Sequence, residues 1–169
     1  RPKSIIYWVW RCVVSYIDSL FSLRGRTAVV TGGAGGLPSV IAAAYVKAGA
    51  SVCVWGRGTG HPIAEAVEKI RAAVRESLGP EAAGPSVLAG VTVDVGDRAS
   101  VERALAETER LVGAPDILLN GVGGNLGKSS FVDLDEEKFL EILKLNLMAG
   151  LVVPTKVFAK YWIEKKIEG

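Results

Sequence analysis

The side chains that could do acid–base or nucleophilic chemistry in this sequence are few and widely separated. The 169 residues include a single histidine, His61, and two cysteines, Cys12 and Cys53. Zinc sites and Ser-His-Asp sites need several such groups in one place, and this inventory builds neither. Cys53 lies in an apolar run, where a cysteine usually acts as a small core residue. We therefore predict no metal site.

A glycine-rich turn is the strongest chemical signal in the sequence. The stretch TGGAGGLP, residues 31–38, follows an apolar β-branched run and precedes a helical pattern. Glycines at such a place permit a tight turn and let backbone N–H groups approach a pyrophosphate at the helix N-terminus. The stretch predicts a dinucleotide site, and a tight strand–helix turn without a ligand is the alternative. Pro38 is tolerated in the first turn of a helix, but we expect it to alter the contacts between this turn and the cofactor.

The end of the next apolar run should meet the ribose of such a dinucleotide. An Asp or Glu at this point accepts a hydrogen bond from a 2′-hydroxyl, whereas an arginine suits a 2′-phosphate. Trp55, Gly56 and Arg57 occupy the place and offer a cation without a carboxylate. The sequence therefore favours NADP(H), with NAD(H) possible. The alternative is that Arg57 is a solvated loop cation.

Strand and helix patterns alternate along the chain from Leu23. Buried strands are predicted at Thr27–Thr31, Ser51–Trp55, Leu88–Asp94 and Ile117–Asn120. Helices are predicted at Pro38–Ala48, at His61–Leu78, at Asp97–Val112, and from about Asp135 to about Glu164. This order predicts an α/β fold: a Rossmann-type doubly wound parallel sheet in three α/β/α layers, with the first strand inside and the carboxyl end incomplete. Ligands of such sheets bind beyond the carboxyl ends of the strands.

Apolar periodicity assigns a buried face to each predicted helix. The first helix presents Val40, Ile41, Ala44, Tyr45 and Ala48 on one side. The second presents Ile63, Ala66, Val67, Ile70 and Val74. In the last helix, Asn146 shares its side with Phe139, Leu143, Ala149, Gly150, Val153 and Val157, which predicts a buried asparagine.

Composition limits the classes of partner. With 49% apolar and 22% charged residues, the chain should fold, and a net charge of +2 with scattered basic residues does not indicate a nucleic-acid partner. The apolar run in residues 4–17 is interrupted by Arg11 and is shorter than the ~20 residues that span a bilayer. We interpret residues 1–20 as an apolar extension, with a membrane or targeting role as the alternative, and residues 21–169 as a cytoplasmic dinucleotide-binding domain without a membrane partner.

Four motifs in the same order resemble those of the short-chain dehydrogenases/reductases. TGGAGGLP is similar to the family's TGxxxGxG turn, with Thr31, Gly32 and Gly36 matching and Pro38 in place of the last glycine. Asp94 and Val95 resemble the adenine-contacting pair after the third strand. NGVGGN, residues 120–125, resembles the family's NNAG motif, with Gly121 in place of the second asparagine. LKLNLMAG, residues 143–150, places Asn146 where the family has an asparagine in its long helix. The resemblance extends over residues 20–169 and is nearest to members called D-mannonate or fructuronate oxidoreductases.

This resemblance implies a set of cofactor-binding residues and a reaction. The implied cofactor-binding residues are Thr31, Gly32, Gly33, Gly35, Gly36, Leu37, Arg57, Asp94, Val95, Asn120, Gly121, Val122 and Gly123. The family transfers hydride between a nicotinamide and a small carbonyl or alcohol substrate. Its members commonly pair through the long helix, which implies a homodimer or homotetramer for a complete chain.

The resemblance also implies a catalytic Asn-Ser-Tyr-Lys tetrad, of which only Asn146 has a match. The Ser and the Tyr-x-x-x-Lys are expected after a fifth strand, beyond Gly169, so residues 1–169 alone are expected to be inactive. Tyr161 and Lys165 have the i, i+4 spacing that a Tyr–Lys pair needs. They continue the helix of Asn146, however, and we interpret Tyr161 as packing and Lys165 as a helix-end cation. A non-catalytic nucleotide-binding module is the second candidate.

Overall fold

Four parallel strands form the centre of the protein. The computed structural model describes residue 16 and residues 20–78 and 86–168. The strands are β1 (Thr27–Thr31), β2 (Ser51–Gly56), β3 (Leu88–Thr92) and β4 (Ile117–Leu119). Their order in the sheet is β3-β2-β1-β4, and every neighbouring pair is parallel. The predicted doubly wound sheet with the first strand inside is confirmed. The predicted extension falls almost entirely outside the described residues, as does Cys12.

The helices cover both faces of the sheet. They are α1 (Gly36–Lys47), α2 (Ile63–Leu78), α3 (Arg98–Val112), α4 (Glu136–Leu143) and α5 (Val153–Lys165), with a 3₁₀ turn at Phe131–Asp133. Between α4 and α5, Lys144–Val152 continues the helix with wider π-type turns, in which the Val153 N–H donates to the Met148 carbonyl. We call the whole of Glu136–Lys165 the long helix. It was predicted as one helix, but its π section was not.

Alternation along the strands divides the core in two. Ala28, Val30, Val52 and Val54 face α1 and α2, whereas Val29, Cys53 and Trp55 face α3 and α5. On the second side, Phe158 of α5 lies edge-on to Trp55, with ring centroids 5.6 Å apart. The Trp55 indole N–H donates to the Thr108 hydroxyl at 2.9 Å, so these two buried polar groups satisfy each other. These contacts hold α5 against the sheet.

Periodicity identified the buried face of α2 but not that of α1. All five predicted residues of α2 are buried: Ile63, Ala66, Val67, Ile70 and Val74. In α1 the buried residues are Ala42, Ala43 and Val46, and Val40 is 65% exposed, so the predicted face was wrong. The helix is apolar around most of its circumference, and such a pattern does not select one side.

The first half of the long helix is exposed although it is apolar. In α4 no residue is buried, and in the π section only Gly150 is. Over Glu136–Lys165 the best 18-residue window has a mean hydropathy of 1.5 and is 22% buried, so length and composition alone would permit a membrane span. Pro154, Val157 and Phe158 nevertheless pack into the domain. We therefore treat the long helix as an element of the domain.

Candidate functional site

A cavity opens where the strands of the sheet end. It has a volume of about 390 Å³ and lies beyond the carboxyl ends of all four strands, the edge at which doubly wound sheets bind ligands. Nine of the predicted cofactor-binding residues line it: Gly32, Gly35, Gly36, Arg57, Asp94, Val95, Gly121, Val122 and Gly123. Residues from four separate loops thus meet at one place.

The turn after β1 forms one wall of this cavity. Gly32 has a φ of 66°, a conformation that side chains other than glycine disfavour. The Gly33 N–H donates to the Trp55 carbonyl at 3.1 Å, and the Gly35 N–H donates to the Gly32 carbonyl at 2.8 Å. Gly33 is itself buried, and a Cβ on it would collide with Val54. Gly33 therefore shapes the turn from beneath without lining the cavity.

The N-terminus of α1 points into this wall without a side-chain cap. Gly35 is the N-cap residue and makes no side-chain hydrogen bond. A Cβ on Gly36 would meet nothing within 4 Å, so the space in front of the first turn is open. Backbone N–H groups of a first helical turn need external acceptors, and a phosphate supplies them. Leu37 is 73% exposed beside this opening. The N-terminus of α1 therefore fits the pyrophosphate of a dinucleotide.

Thr31 lies beneath the cavity and joins two loops. Its side chain is fully buried. The hydroxyl accepts from the Gly121 N–H at 2.9 Å and donates to the Leu119 carbonyl at 3.3 Å. Thr31 therefore acts through the backbone of the β4 loop and does not itself line the cavity.

The loop after β2 forms the opposite end of the cavity. Gly56, Arg57, Gly58, Thr59 and His61 line it there, and none of them carries a carboxylate. Among the residues that the structure describes, no Asp or Glu forms an ion pair with Arg57. This end of the cavity therefore carries an exposed cation without an ion-pair partner among the described residues.

Asp94 and Val95 form the wall that follows β3. The Asp94 carboxylate accepts from the Gly96 N–H at 2.9 Å, and the Asp94 N–H donates to the Ser100 hydroxyl at 3.2 Å. Val95 is 4% exposed and anchors the turn in the core. Asp97 then caps α3 by accepting from the Ala99 and Ser100 backbone N–H groups. The Asp94 side chain is thus held at the cavity rim by its own turn.

Asn120 ends β4 and faces the long helix. Its Nδ2 donates to the Thr155 hydroxyl at 2.9 Å. Its Oδ1 is shielded from solvent and has no hydrogen-bond partner among the described residues. Asn120 therefore ties the end of β4 to α5, outside the cavity lining.

The prediction that Asn146 is buried was wrong. Asn146 lies in the π section, where only Gly150 is buried, and its side chain contacts the β4 loop rather than the core. Its amide is nevertheless fully engaged: Oδ1 accepts from the Gly124 N–H at 2.7 Å, and Nδ2 donates to the Gly124 carbonyl at 2.9 Å. Gly150, one turn on, packs against the Val122 carbonyl so closely that a Cβ would collide with it.

Tyr161 and Lys165 lie away from the cavity, and neither lines it. Tyr161 packs against the core on the α3 side of the sheet, and Lys165 pairs with Glu109 at 3.2 Å. Burial, together with the Glu109 carboxylate, raises the pKa of Tyr161 to about 12. A tyrosine that transfers protons at neutral pH needs its pKa lowered, whereas the surroundings of Tyr161 raise it. That agrees with the interpretation of Tyr161 as packing.

Several cavity residues were not identified from the sequence. They are Ala34, Gly58, Thr59, His61, Val93, Leu145 and Ala149. Thr59 and His61 lie within four residues of Arg57 in the same loop. Because that loop follows the carboxyl end of a strand, they could have been predicted to line the site. Leu145 and Ala149 come from the long helix, and no short motif marks them.

The parallel sheet, with a cavity at the carboxyl ends of its strands, defines a Rossmann-type fold. The comparison with known proteins identifies the family. The model of the short chain dehydrogenase family matches residues 26–169, and the chain belongs to this family. UxuB of Bacillus subtilis (strain 168), described as an uncharacterized oxidoreductase, is 36% identical over 153 residues, covering 82% of this chain and 50% of the relative. The family resemblance and the fold class are thereby confirmed.

Two solved structures of the family superpose on the chain. A short chain oxidoreductase of Pseudomonas aeruginosa PAO1, bound to NADPH and described as having an atypical catalytic center, gives a TM-score of 0.67 at 26% identity over 83% of this chain and 50% of that one. A protein assigned as a D-mannonate oxidoreductase of Haemophilus influenza, with bound NAD, gives 0.65 at 23% identity over 86% of this chain and 53% of that one. The chain therefore spans about half the length of these proteins.

Proposed function

We propose that residues 21–169 form the cofactor-binding part of an NAD(P)-dependent oxidoreductase that transfers hydride between a nicotinamide and a small carbonyl or alcohol. The observation that carries the proposal is the N-terminus of α1 at the cavity: its N-cap residue Gly35 has no side chain to cap the helix, a Cβ on Gly36 would meet nothing within 4 Å, and both glycines line the cavity. When bound, the nicotinamide would supply or accept the hydride. This chain's residues bind and orient the dinucleotide.

The residues proposed to hold the dinucleotide form three groups. The α1 N-terminus and the turn with Gly32 would receive the pyrophosphate. Asp94 and Val95 would flank the adenine, and the β4 loop with Gly121, Val122 and Gly123 would form the floor. Thr31, Gly33 and Asn120 would support these loops from beneath. Asn146 would act as a positioning residue by holding Gly124, and its role in catalysis stays a prediction.

NADP(H) is the proposed cofactor. Arg57 offers a planar cation that suits a 2′-phosphate, and the lining residues of the loop after β2 include no carboxylate to bind a free 2′-hydroxyl. The NADPH-bound relative supports the choice, whereas the NAD-bound one shows that the fold accepts either dinucleotide.

A sugar acid is the proposed substrate class. Support comes from the similarity to the protein assigned as a D-mannonate oxidoreductase. The exposed apolar side of α4 and the π section, which includes Phe139, Leu143, Leu147 and Leu151, supports a homodimer or homotetramer as the complete assembly. The buried free thiol of Cys53 is compatible with the cytoplasmic location that we propose.

Residues 1–169 alone are proposed to be inactive. No tyrosine or serine of the described residues lines the cavity, and the raised pKa of Tyr161 argues against that residue as a proton donor. Without a placed general acid, a factor of about 10²–10⁴ in rate is missing. The same observation favours the second candidate function, a nucleotide-binding module without hydride chemistry.

The decisive assay follows nicotinamide absorbance with uronates, aldonates and simple ketones. It compares residues 1–169 with the product of the complete reading frame. The first candidate function requires turnover only by the complete product, and the second requires none by either. Turnover by residues 1–169 that disappears in Tyr161→Phe would contradict the assignment of Tyr161 as structural.

A further inference from the structure

The two departures from the family's motifs, Pro38 in the TGxxxGxG turn and Gly121 in the NNAG motif, touch each other in the structure. They are separated by more than eighty residues in the sequence; Pro38 lies in the first turn of α1 and Gly121 in the loop after β4. A Cβ placed on Gly121 would lie 2.7 Å from Cγ and 3.0 Å from Cβ of Pro38. Such distances are shorter than van der Waals contact. The proline ring therefore occupies the space that a side chain at position 121 would need.

Gly121 is also fixed from two other directions. Its N–H donates to the Thr31 hydroxyl at 2.9 Å, and a Cβ on it would lie 2.5 Å from the Thr31 carbonyl oxygen. Gly32, at its φ of 66°, approaches so closely that a Cβ on it would lie 2.7 Å from the Gly121 carbonyl oxygen. The turn after β1 and the loop after β4 thus meet backbone to backbone, with the Pro38 ring closing the third side.

We infer that Pro38 is a positioning residue: its ring and the bare Cα of Gly121 form a paired contact that sets the relative position of the two cofactor-binding loops. Pro38 replaces the family's last glycine, and Gly121 replaces an asparagine. The bulk added at the first position is matched by bulk removed at the second. Because Gly121 is followed by Val122 and Gly123 in the cavity lining, a shift of Gly121 is carried into the cavity. The inference rests on the proposed dinucleotide site.

A double-mutant cycle tests this contact in the full-length protein. Gly121→Ala is made alone and in the Pro38→Ala and Pro38→Gly backgrounds, and the Kd for NADPH is measured by fluorescence titration on folded protein. Overpacking of this kind costs enough to raise the Kd about tenfold in the parent. The increase should become smaller in the Pro38→Ala background and smallest in the Pro38→Gly background. A remainder should persist, because the Thr31 carbonyl stays in place.

A glycine at the far edge of the sheet provides the matched control. A Cβ on Gly90 would collide with Ile63 and crowd Val67, but it would not meet Pro38. Gly90→Ala should therefore combine additively with Pro38→Gly in both the Kd and the denaturation midpoint. A general loosening of the fold by Pro38→Gly would instead change the effects of both glycine substitutions.

Equal effects of Gly121→Ala on the Kd in all three backgrounds would overturn the inference. Coupling in the denaturation midpoint but not in the Kd would also overturn it, since Pro38 would then only stabilise the fold. If the parent binds no dinucleotide at all, the proposed function fails. The cycle on the denaturation midpoint then decides whether Pro38 and Gly121 are coupled.

Discussion

Asn146 and Gly124 exchange two hydrogen bonds, in which the side-chain amide of one residue copies the pairing of a neighbouring strand. The Gly124 N–H donates to Asn146 Oδ1 at 2.7 Å, and Asn146 Nδ2 donates to the Gly124 carbonyl at 2.9 Å. A Cβ on the adjacent Gly123 would lie 3.0 Å from Asn146 Oδ1, so the loop approaches the helix as closely as a glycine allows. The π section of the long helix thereby holds the β4 loop at the cavity.

We expect Asn146→Ala to release this loop. Both Gly124 bonds are lost, and because the site is exposed the free energy of unfolding should fall by only about 1 kcal/mol. The local effect should be larger: hydrogen exchange of the Gly124 amide should accelerate well beyond that of the strand amides. Asn125→Ala changes an exposed asparagine in the same loop and provides the control. Unchanged exchange at Gly124 in Asn146→Ala would show that the two bonds do not hold the loop.

Tyr161→Phe should preserve or increase stability. The Tyr161 hydroxyl is shielded from solvent and makes no hydrogen bond of good geometry among the described residues, although the Glu109 carboxylate lies close enough to raise its pKa. Removing an unpaired buried hydroxyl should raise the free energy of unfolding by up to about 1 kcal/mol, because the ring that packs on the core is kept. Chemical denaturation of both proteins measures the difference. A loss of more than this amount would mean that the hydroxyl has a partner that stabilises the fold.

The same residue should give the protein an alkaline dependence of stability. Burial and Glu109 raise the pKa of Tyr161 to about 12, above its ordinary value of 10.0. Between these values the unfolded chain releases the proton more readily, so stability is complete below pH ~10 and is lost as the pH rises toward 12. Tyr161→Phe should lack this loss. The difference in unfolding free energy between the two proteins, measured from pH 9 to 12, should therefore widen in favour of the variant.

Cys53 should resist thiol reagents in the native protein. Its thiol is fully buried, and burial raises the pKa from 9.0 to about 11, so thiolate is scarce at neutral pH. Alkylation followed by peptide mass spectrometry should leave Cys53 unmodified until denaturant is added. Rapid modification under native conditions would show that the layer of Trp55 and Thr108 over the thiol opens readily.

The sequence correctly predicted those parts of the fold that depend on one local pattern of apolar residues. The strands alternate between two faces of the sheet, and α2 has one clear apolar side, so the sheet order and the α2 face were correctly predicted. The α1 face was not, because Ala42, Ala43 and Ala44 make the helix apolar on several sides. Exposure of Asn146 could not be predicted either, since periodicity reports an apolar side and not whether anything covers it.

Contacts between distant loops also remained hidden in the sequence. Pro38 and Gly121 each departed from the family pattern, and only the fold shows that the two residues meet. The i, i+4 spacing of Tyr161 and Lys165 suggested a catalytic pair. The packing of α5 on α3 placed both residues beside Glu109 instead, where the pKa of Tyr161 rises.

The central claim, an NADP(H)-preferring dinucleotide site at the open end of α1, is tested most directly by equilibrium binding. NADPH and NADH are titrated against the parent and against Arg57→Ala, with Arg75→Ala as an exposed arginine outside the cavity. NADPH should bind more tightly to the parent by about tenfold or more, the advantage should disappear in Arg57→Ala, and Arg75→Ala should retain it. Equal affinities of the parent for the two dinucleotides, or an NADPH preference that survives Arg57→Ala, would contradict this account.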